Sequence, residues 1–339
     1  MKILLVKLSS LGDVVHTLPV VQDILAAMPD AQIDWVVEKS FAPLLTQVKG
    51  IHRLIPCELR RWRKSFWATQ TRGEWRAFKA DLQAQSYDAV IDLQGLAKSA
   101  VVARLAKLTP QGKRFAMANQ TEGSGYEAPT RWVADVAIAI EPHVHAVQRG
   151  RFLAARALGY RMSKEADFDL FYASERSFGQ SIRAQAAPEK IAKKIAFIHG
   201  SSRHDKTWPL QNWVALGLRL AASNCQVTLV HGNAAELATS QAIAAKLPGS
   251  VVLPLLALSV LTQELGQCAG AIGVDSGVSH IAVALGLPHV QIYNFDTAWR
   301  TGPLGCAHQV SVFAQPHPTV DAVWQAWLAC ETGLESSAR

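Results

Sequence analysis

Along the N-terminal part of the chain, short runs of branched apolar residues at 3–8, 33–37, 52–55 and 89–93 alternate with helical patterns at 14–28, 75–85 and 97–108. The runs hold too few polar positions to give a solvated face. Strand and helix in alternation, with strands apolar on both sides, predict a parallel α/β sheet covered by helices. The pattern then starts again. Runs at 195–199, 227–231, 271–274 and 289–293 predict strands, with helices over 210–222 and 234–246 and a last helix over about 320–330 after the Pro316-His317-Pro318 turn. Residues 111–129, rich in Gly, Gln, Thr and Ser, and 184–194, polar around Pro188, interrupt it. The boundary is therefore expected near residue 185, giving a unit over 1–185, a second over 186–318, and a C-terminal helix over 319–339 with the option of packing back on the first unit. Ligands in such sheets sit at the carboxyl ends of the strands, so two facing units are expected to hold them in a cleft.

Length and composition agree with this division, since 339 residues suit two domains of roughly 100 to 200 residues. Apolar residues make up 49% and charged residues 18%, which excludes a disordered chain. The five cysteines (Cys57, Cys225, Cys268, Cys306 and Cys330) are odd in number and not spaced for a zinc site or a dithiol, so they read as thiols of a reducing compartment. Lys7 and the Ser9-Ser10 pair interrupt the first apolar run before a signal-like region is complete. No stretch approaches the roughly 18 apolar residues of a membrane span. A cytoplasmic protein, membrane-associated at most, is expected. The net charge of +7 is uneven: residues 1–170 hold 23 Lys/Arg against 17 Asp/Glu, and the remainder 11 against 10, so the first half carries the basic surface.

Three predicted strand ends run through polar loops into helices. In Ser9-Ser10-Leu11-Gly12-Asp13, Asp13 either caps the next helix or faces a ligand. In 199–209, Ser201, Ser202, Arg203 and Lys206 precede Trp208-Pro209, and hydroxyls and backbone amides beside two bases suit a diphosphate as well as a solvated loop. In Gly273-Val274-Asp275-Ser276-Gly277-Val278-Ser279-His280, a glycine at a helix start lets a phosphate reach the first amides, although Asp275 could cap and His280 could fill the core. No G-x-G-x-x-G and no Walker loop is present. The segment Arg60-Arg61-Trp62-Arg63-Lys64-Ser65-Phe66-Trp67, followed by Arg72, Arg76 and Lys79, fits phosphate, nucleic acid or an anionic membrane, or a solvated helix face with its aromatics inward. Asp167-Phe168-Asp169 and His143-Val144-His145 lack further ligands at metal spacing, so no metal is assigned to them.

Residues 7–19, 60–64, Asp92-Leu93-Gln94-Gly95-Leu96-Ala97-Lys98-Ser99, Asp205-Lys206-Thr207-Trp208-Pro209 and 274–280 together resemble the lipopolysaccharide heptosyltransferases, in the same order and nearly end to end. The resemblance implies a GT-B fold of two facing Rossmann-like domains and an inverting transfer that needs no metal or cofactor. The donor would be ADP-L-glycero-D-manno-heptose and the acceptor the inner Kdo of Kdo-lipid A, at the cytoplasmic face of the inner membrane, with no nucleic-acid partner. By motif, Asp13 would be the general base, and Lys206, with Ser201 and Ser202, would hold the diphosphate. Asp275, Ser276, Gly277 and His280 would bind donor sugar and phosphates, Glu236 the ribose and Leu256 the adenine. Ser10, Gly12, Arg60, Arg61, Arg63, Lys64, Gln94 and Lys98 would face the acidic acceptor. The sequence departs from the family where Tyr293-Asn294-Phe295-Asp296-Thr297-Ala298 replaces a Gly-Pro-Thr-Asp-Pro-like loop, and where Ser201 and Ser202 replace threonines. Transfer of the second heptose, a sugar-nucleotide epimerase of the same fold and a nucleic-acid module are the alternatives.

Overall fold

The computed structural model describes residues 1–65, 67–170 and 193–337, the last four of these without side chains. It divides into two compact units, Met1–Asp169 and Leu170–Arg339; the boundary expected near 185 lies outside the described residues.

The first unit holds β1 (Lys2–Val6), β2 (Gln32–Glu38), β3 (Ile51–Cys57), β4 (Ser86–Asp92), β5 (Lys107–Met117) and β6 (Val136–Ile138) in the order β3-β2-β1-β4-β5-β6. Every neighbouring pair is parallel. The second unit repeats the plan with β7 (Lys193–Ile198), β8 (Cys225–Leu229), β9 (Val251–Val252), β10 (Gly270–Val274), β11 (His289–Tyr293) and β12 (Gln309–Phe313), in the order β12-β11-β10-β7-β8-β9. These pairs are also parallel. The apolar runs read from the sequence are the central strands: β1, β4, β7 and β10 are buried on both faces over their carboxyl-terminal four residues or more, as strands covered by helices are. Strand order reverses between β1 and β4 and again between β7 and β10. Beyond the carboxyl ends of those pairs a crevice opens, and loops placed there line it.

The structure departs from the sequence pattern in three places. Residues 107–117, half of them expected as an irregular segment, form β5. Their polar run hides the strand because only Ala116 and Met117 are buried, and because the pairing with β4 slips between Tyr87 and Ala89. A helix at Ala146–Leu158, outside the predicted set, buries Arg149 and Arg151 beside its apolar residues. Arg151 is fully buried and donates to both carboxylate oxygens of Asp23, at 2.6 and 2.9 Å. That pair fixes this helix against the helix Leu11–Ala27, and breaking it would strand a charge in the interior. Finally, the C-terminal helix Val320–Ser337 buries its stripe of Val323, Trp327 and Cys330 in the core of the second unit. Trp327 packs where a Cβ on Gly270 would lie 2.5 Å from its ring, so only a bare backbone in β10 accepts it.

Candidate active site

In the first unit, β1 runs through Lys7-Leu8-Ser9-Ser10 into the helix Leu11–Ala27, and β4 runs through Leu93-Gln94-Gly95-Leu96 into the helix Ala97–Leu105. Both loops lie at the reversal of strand order, and together they line a cavity of about 270 Å³. The two are sewn together. Gln94 Oε1 accepts from the backbone N–H of Leu8 and of Ser9, both at 3.1 Å, and Lys98 Nζ donates to Ser9 Oγ at 2.7 Å. Below them Asp92, buried, accepts from the N–H of Gln94 and Gly95 and from Ser99 Oγ. Burial pushes its carboxyl up to about 6 against those three hydrogen bonds and the charge of Lys7. Gly95 has φ +78, and a Cβ there would meet Met117 at 2.6 Å, so this tight turn requires glycine.

Asp13 stands at the first turn of its helix and opens into the cavity, its side chain 34% exposed. Ser10 donates to Oδ2 from both its backbone N–H, at 3.1 Å, and its hydroxyl, at 2.9 Å. Lys7 Nζ lies 3.5 Å and Arg149 Nη2 3.9 Å from Oδ1. Burial favours the neutral acid, but the Lys7 charge, the Ser10 hydrogen bonds and Arg149 outweigh it and hold the carboxyl at about 2. Lys7 is itself buried, donates to Leu93 O at 3.0 Å and has its own pKa lowered by burial, against the attraction of Asp13. Arg149 donates to Thr121 Oγ1 at 3.2 Å, which anchors the loop whose Gly123, Ser124 and Gly125 form another wall. Among the described residues, four cations (Lys7, Arg60, Lys98 and Arg149) and the single carboxylate of Asp13 line the cavity. A ligand that carries negative charge and a hydroxyl fits that balance.

The remaining expected residues of this unit are elsewhere. Gly12 lies in the first turn of the Leu11 helix. Arg61 is held by Glu58 and Glu74, while Arg63 and Lys64 are exposed on the helix Leu59–Lys64 outside the cavity lining. Trp62 fills the core and donates to Glu74 at 2.7 Å. His145 caps the helix Ala146–Leu158, His143 meets Glu122, and Asp167 accepts from the N–H of Asp169.

In the second unit the corresponding loops follow β7 and β10. Lys206, in the turn His204–Lys206, forms an ion pair with Asp275 at the end of β10. His280 Nε2 lies 3.4 Å from Asp275 Oδ1, and Thr301 Oγ1 donates to the same oxygen at 3.5 Å. Burial opposes the charge on Asp275, yet the hydrogen bond and charge of His280, joined by Lys206, hold its carboxyl well below the usual range. Ser201 Oγ donates to the carbonyl of Asp275 at 3.3 Å, and Ser276 caps the helix Gly277–Ala284 by accepting from Ser279 N. Ser201, Lys206, Asp275, Ser276, Gly277 and His280 thus share one strand-end region. Ser202 is exposed on the same loop, and Leu256 is half-buried in the loop before the helix Leu258–Gly266. Glu236 accepts from Gly232 N at 2.6 Å and lies against Gly200, where a Cβ would come within 2.5 Å of its carboxyl carbon. Glycine at position 200 leaves room for that acid.

Comparison with known proteins decides the family. Residues 75–323 match the family described as Glycosyltransferase family 9 (heptosyltransferase). The chain belongs to glycosyltransferase family 9. This family 9 chain is 36% identical over 311 residues to lipopolysaccharide heptosyltransferase 1 of Pseudomonas aeruginosa, covering 90% of this chain and 82% of that one. It is 35% identical over 295 residues to lipopolysaccharide heptosyltransferase 1 of Escherichia coli K12, covering 86% and 88%. Among solved structures it is similar to the E. coli heptosyltransferase WaaC with ADP, at a TM-score of 0.82 and 32% identity over 96% of this chain and 98% of that one. The chain is a glycosyltransferase, and its α/β fold of two six-stranded parallel sheets is of the GT-B type.

Site residues that the sequence reading missed are Lys7 and Arg149 beside Asp13, Asp92 beneath them, and Asn294 and Thr301 in the second unit. Lys7 had a signal: it is the one charged residue in the otherwise apolar run 3–8, directly after β1.

Proposed function

We propose that this chain transfers L-glycero-D-manno-heptose from ADP-heptose to the inner Kdo of Kdo-lipid A with inversion, the first heptose addition of lipopolysaccharide core synthesis. The observation that carries the reading is the cavity at the strand-order reversal, where, among the described residues, the carboxylate of Asp13 stands with Lys7, Arg60, Lys98 and Arg149. Kdo is an acidic sugar bearing hydroxyls, and such a cavity suits it. The names of the relatives, heptosyltransferase 1, support the donor and the position of transfer.

In this reading the acceptor hydroxyl oxygen forms the new bond to the anomeric carbon, the bond from that carbon to the diphosphate oxygen breaks, and ADP leaves with the electron pair. Asp13 takes the hydroxyl proton. A carboxylate at about 2 is a weak base, which suffices because the hydroxyl grows acidic as it bonds a cationic sugar carbon. In the second unit, Lys206 and the first turn of the helix Gly277–Ala284 meet the charge developing on the diphosphate. ADP release is expected with Kdo-lipid A and not without acceptor. Release only with already heptosylated acceptor would move the reading to the second transfer, and no release with any acceptor would return it to the epimerase or the nucleic-acid module.

The same reading places the chain peripherally at the cytoplasmic face of the inner membrane. No helix among the described residues is long and apolar enough to cross a membrane. Trp67 is 85% exposed, close in sequence to the exposed Arg63 and Lys64, and tryptophan among cations suits an anionic interface. Sedimentation with vesicles containing phosphatidylglycerol is expected at low salt and should fall severalfold in Trp67→Ser. Equal recovery with uncharged vesicles would contradict this placement.

A further inference from the structure

The loop after β11 is where the sequence departs from the family pattern, so the resemblance assigns nothing to Asn294. Its surroundings do. Asn294 is nearly buried, and its Nδ2 donates to Asp205 O at 3.0 Å and to Thr207 O at 2.9 Å, the two carbonyls flanking Lys206. Both amide protons are thereby used, and because only the nitrogen can donate to carbonyls, the orientation of the amide is set. Its Oδ1 is buried with no partner among the described residues, so the side chain bears the penalty of an unpaired acceptor while making the two donations.

We propose that Asn294 is a positioning residue for Lys206, clamping the backbone on both sides of that lysine so that its ammonium is presented at the end of β10. The inference rests on the reading of Lys206 as a diphosphate ligand. The register of two adjacent strands carries it further. Asp275, the partner of Lys206, follows β10 and donates its N–H to Ile292 O in β11 at 3.1 Å, and Asn294 is the residue after β11. The group that pairs the lysine side chain and the group that holds its backbone therefore come from neighbouring strand ends locked together. Downstream, Trp208 is buried and donates to Pro318 O at 2.8 Å, which fixes the other exit of the loop. Between Asn294 and Trp208, little freedom is left for the segment to lose when an anion binds, and preorganisation of this kind strengthens binding without adding a contact.

The test is calorimetric titration of ADP into the full-length chain carrying Asn294→Ala, Lys206→Ala, or both. Asn294→Ala should weaken ADP about tenfold, as loss of two hydrogen bonds allows, and Asn294→Asp, which sets a carboxylate against two carbonyl oxygens, should weaken it more. In the Lys206→Ala background, Asn294→Ala should have no further effect, because its influence passes through that lysine. Additive losses, or no loss in Asn294→Ala, would overturn the clamp. Unchanged ADP affinity in Lys206→Ala would instead overturn the reading of Lys206 itself. If Asn294→Ala fails to fold, Asn294→Ser keeps one hydroxyl donor, and the same cycle with Lys206→Ala decides the question.

Discussion

Asp13→Ala is expected to lower kcat for heptosyl transfer by about 10³-fold, the scale of a lost general base, while the affinity for ADP, proposed to bind the second unit, stays unchanged. Asp13→Asn should do nearly as much damage, since the amide keeps the shape but takes no proton. The pH dependence separates this carboxylate from its neighbours. Its folded pKa of about 2 lies below the ordinary carboxylate value, so Asp13 is ionised at every pH where the protein works and contributes no acid limb above pH 4. An inflection near pH 6 belongs to Asp92 and should vanish in Asp92→Asn. Lys7→Met provides the sharper check. It removes the largest influence holding Asp13 down and leaves the burial that pushes the group up, so an acid limb should appear above pH 4. The stability linkage has the same sign: a depressed carboxyl stabilises the fold above its unfolded pKa, and that contribution is lost as pH falls toward 2. Asp13→Asn retaining more than a tenth of wild-type kcat would remove Asp13 from the role of base.

The parts of this site that were legible in the sequence are those built by local order. A buried parallel strand must end in a polar loop, and Asp13, Gln94, Lys206 and Asp275 all lie within eight residues of such an end, where the reversal of strand order brings pairs of loops together. The residues that were not legible arrive from far along the chain. Arg149 reaches Asp13 from a helix more than 130 residues along the chain, and it stands there because Arg151, two residues on, is locked to Asp23 of the helix that starts beside Asp13. No spacing within either helix encodes that match. Asn294 was visible only as a departure from a family pattern, and its two hydrogen bonds appear only once β11 is seated beside β10. The basic aromatic segment shows the reverse limit. Its charges were counted correctly, but the structure turns Arg60 into the cavity, hands Arg61 to Glu58 and Glu74, and sends Trp62 inward. A helix distributes neighbouring residues around its axis, so a run of like residues in sequence does not form one surface.

Lys206→Ala is expected to lower kcat/KM for ADP-heptose by about 10³-fold, because it removes a fixed cation from the place where negative charge grows as the sugar–diphosphate bond breaks. The effect should exceed that of deleting a simple phosphate contact, for a reason visible in the resting site. Lys206 also neutralises Asp275, a carboxylate whose side chain is only 6% exposed. With the lysine gone, Asp275 keeps its charge, held down by His280, and faces the incoming diphosphate as a like charge in a poorly solvated setting. The double variant Lys206→Ala/Asp275→Asn should therefore recover part of the loss, which is the opposite of what two independent contacts would give. Lys206→Arg should fall between wild type and alanine, since it keeps the charge but brings a planar fork in place of a compact ammonium. Steady-state kcat/KM for these four proteins and for Asp275→Asn alone settles the matter. If the double variant is slower than Lys206→Ala by the full effect of Asp275→Asn alone, then Asp275 contacts the donor directly and its pairing with Lys206 carries no part of the rate.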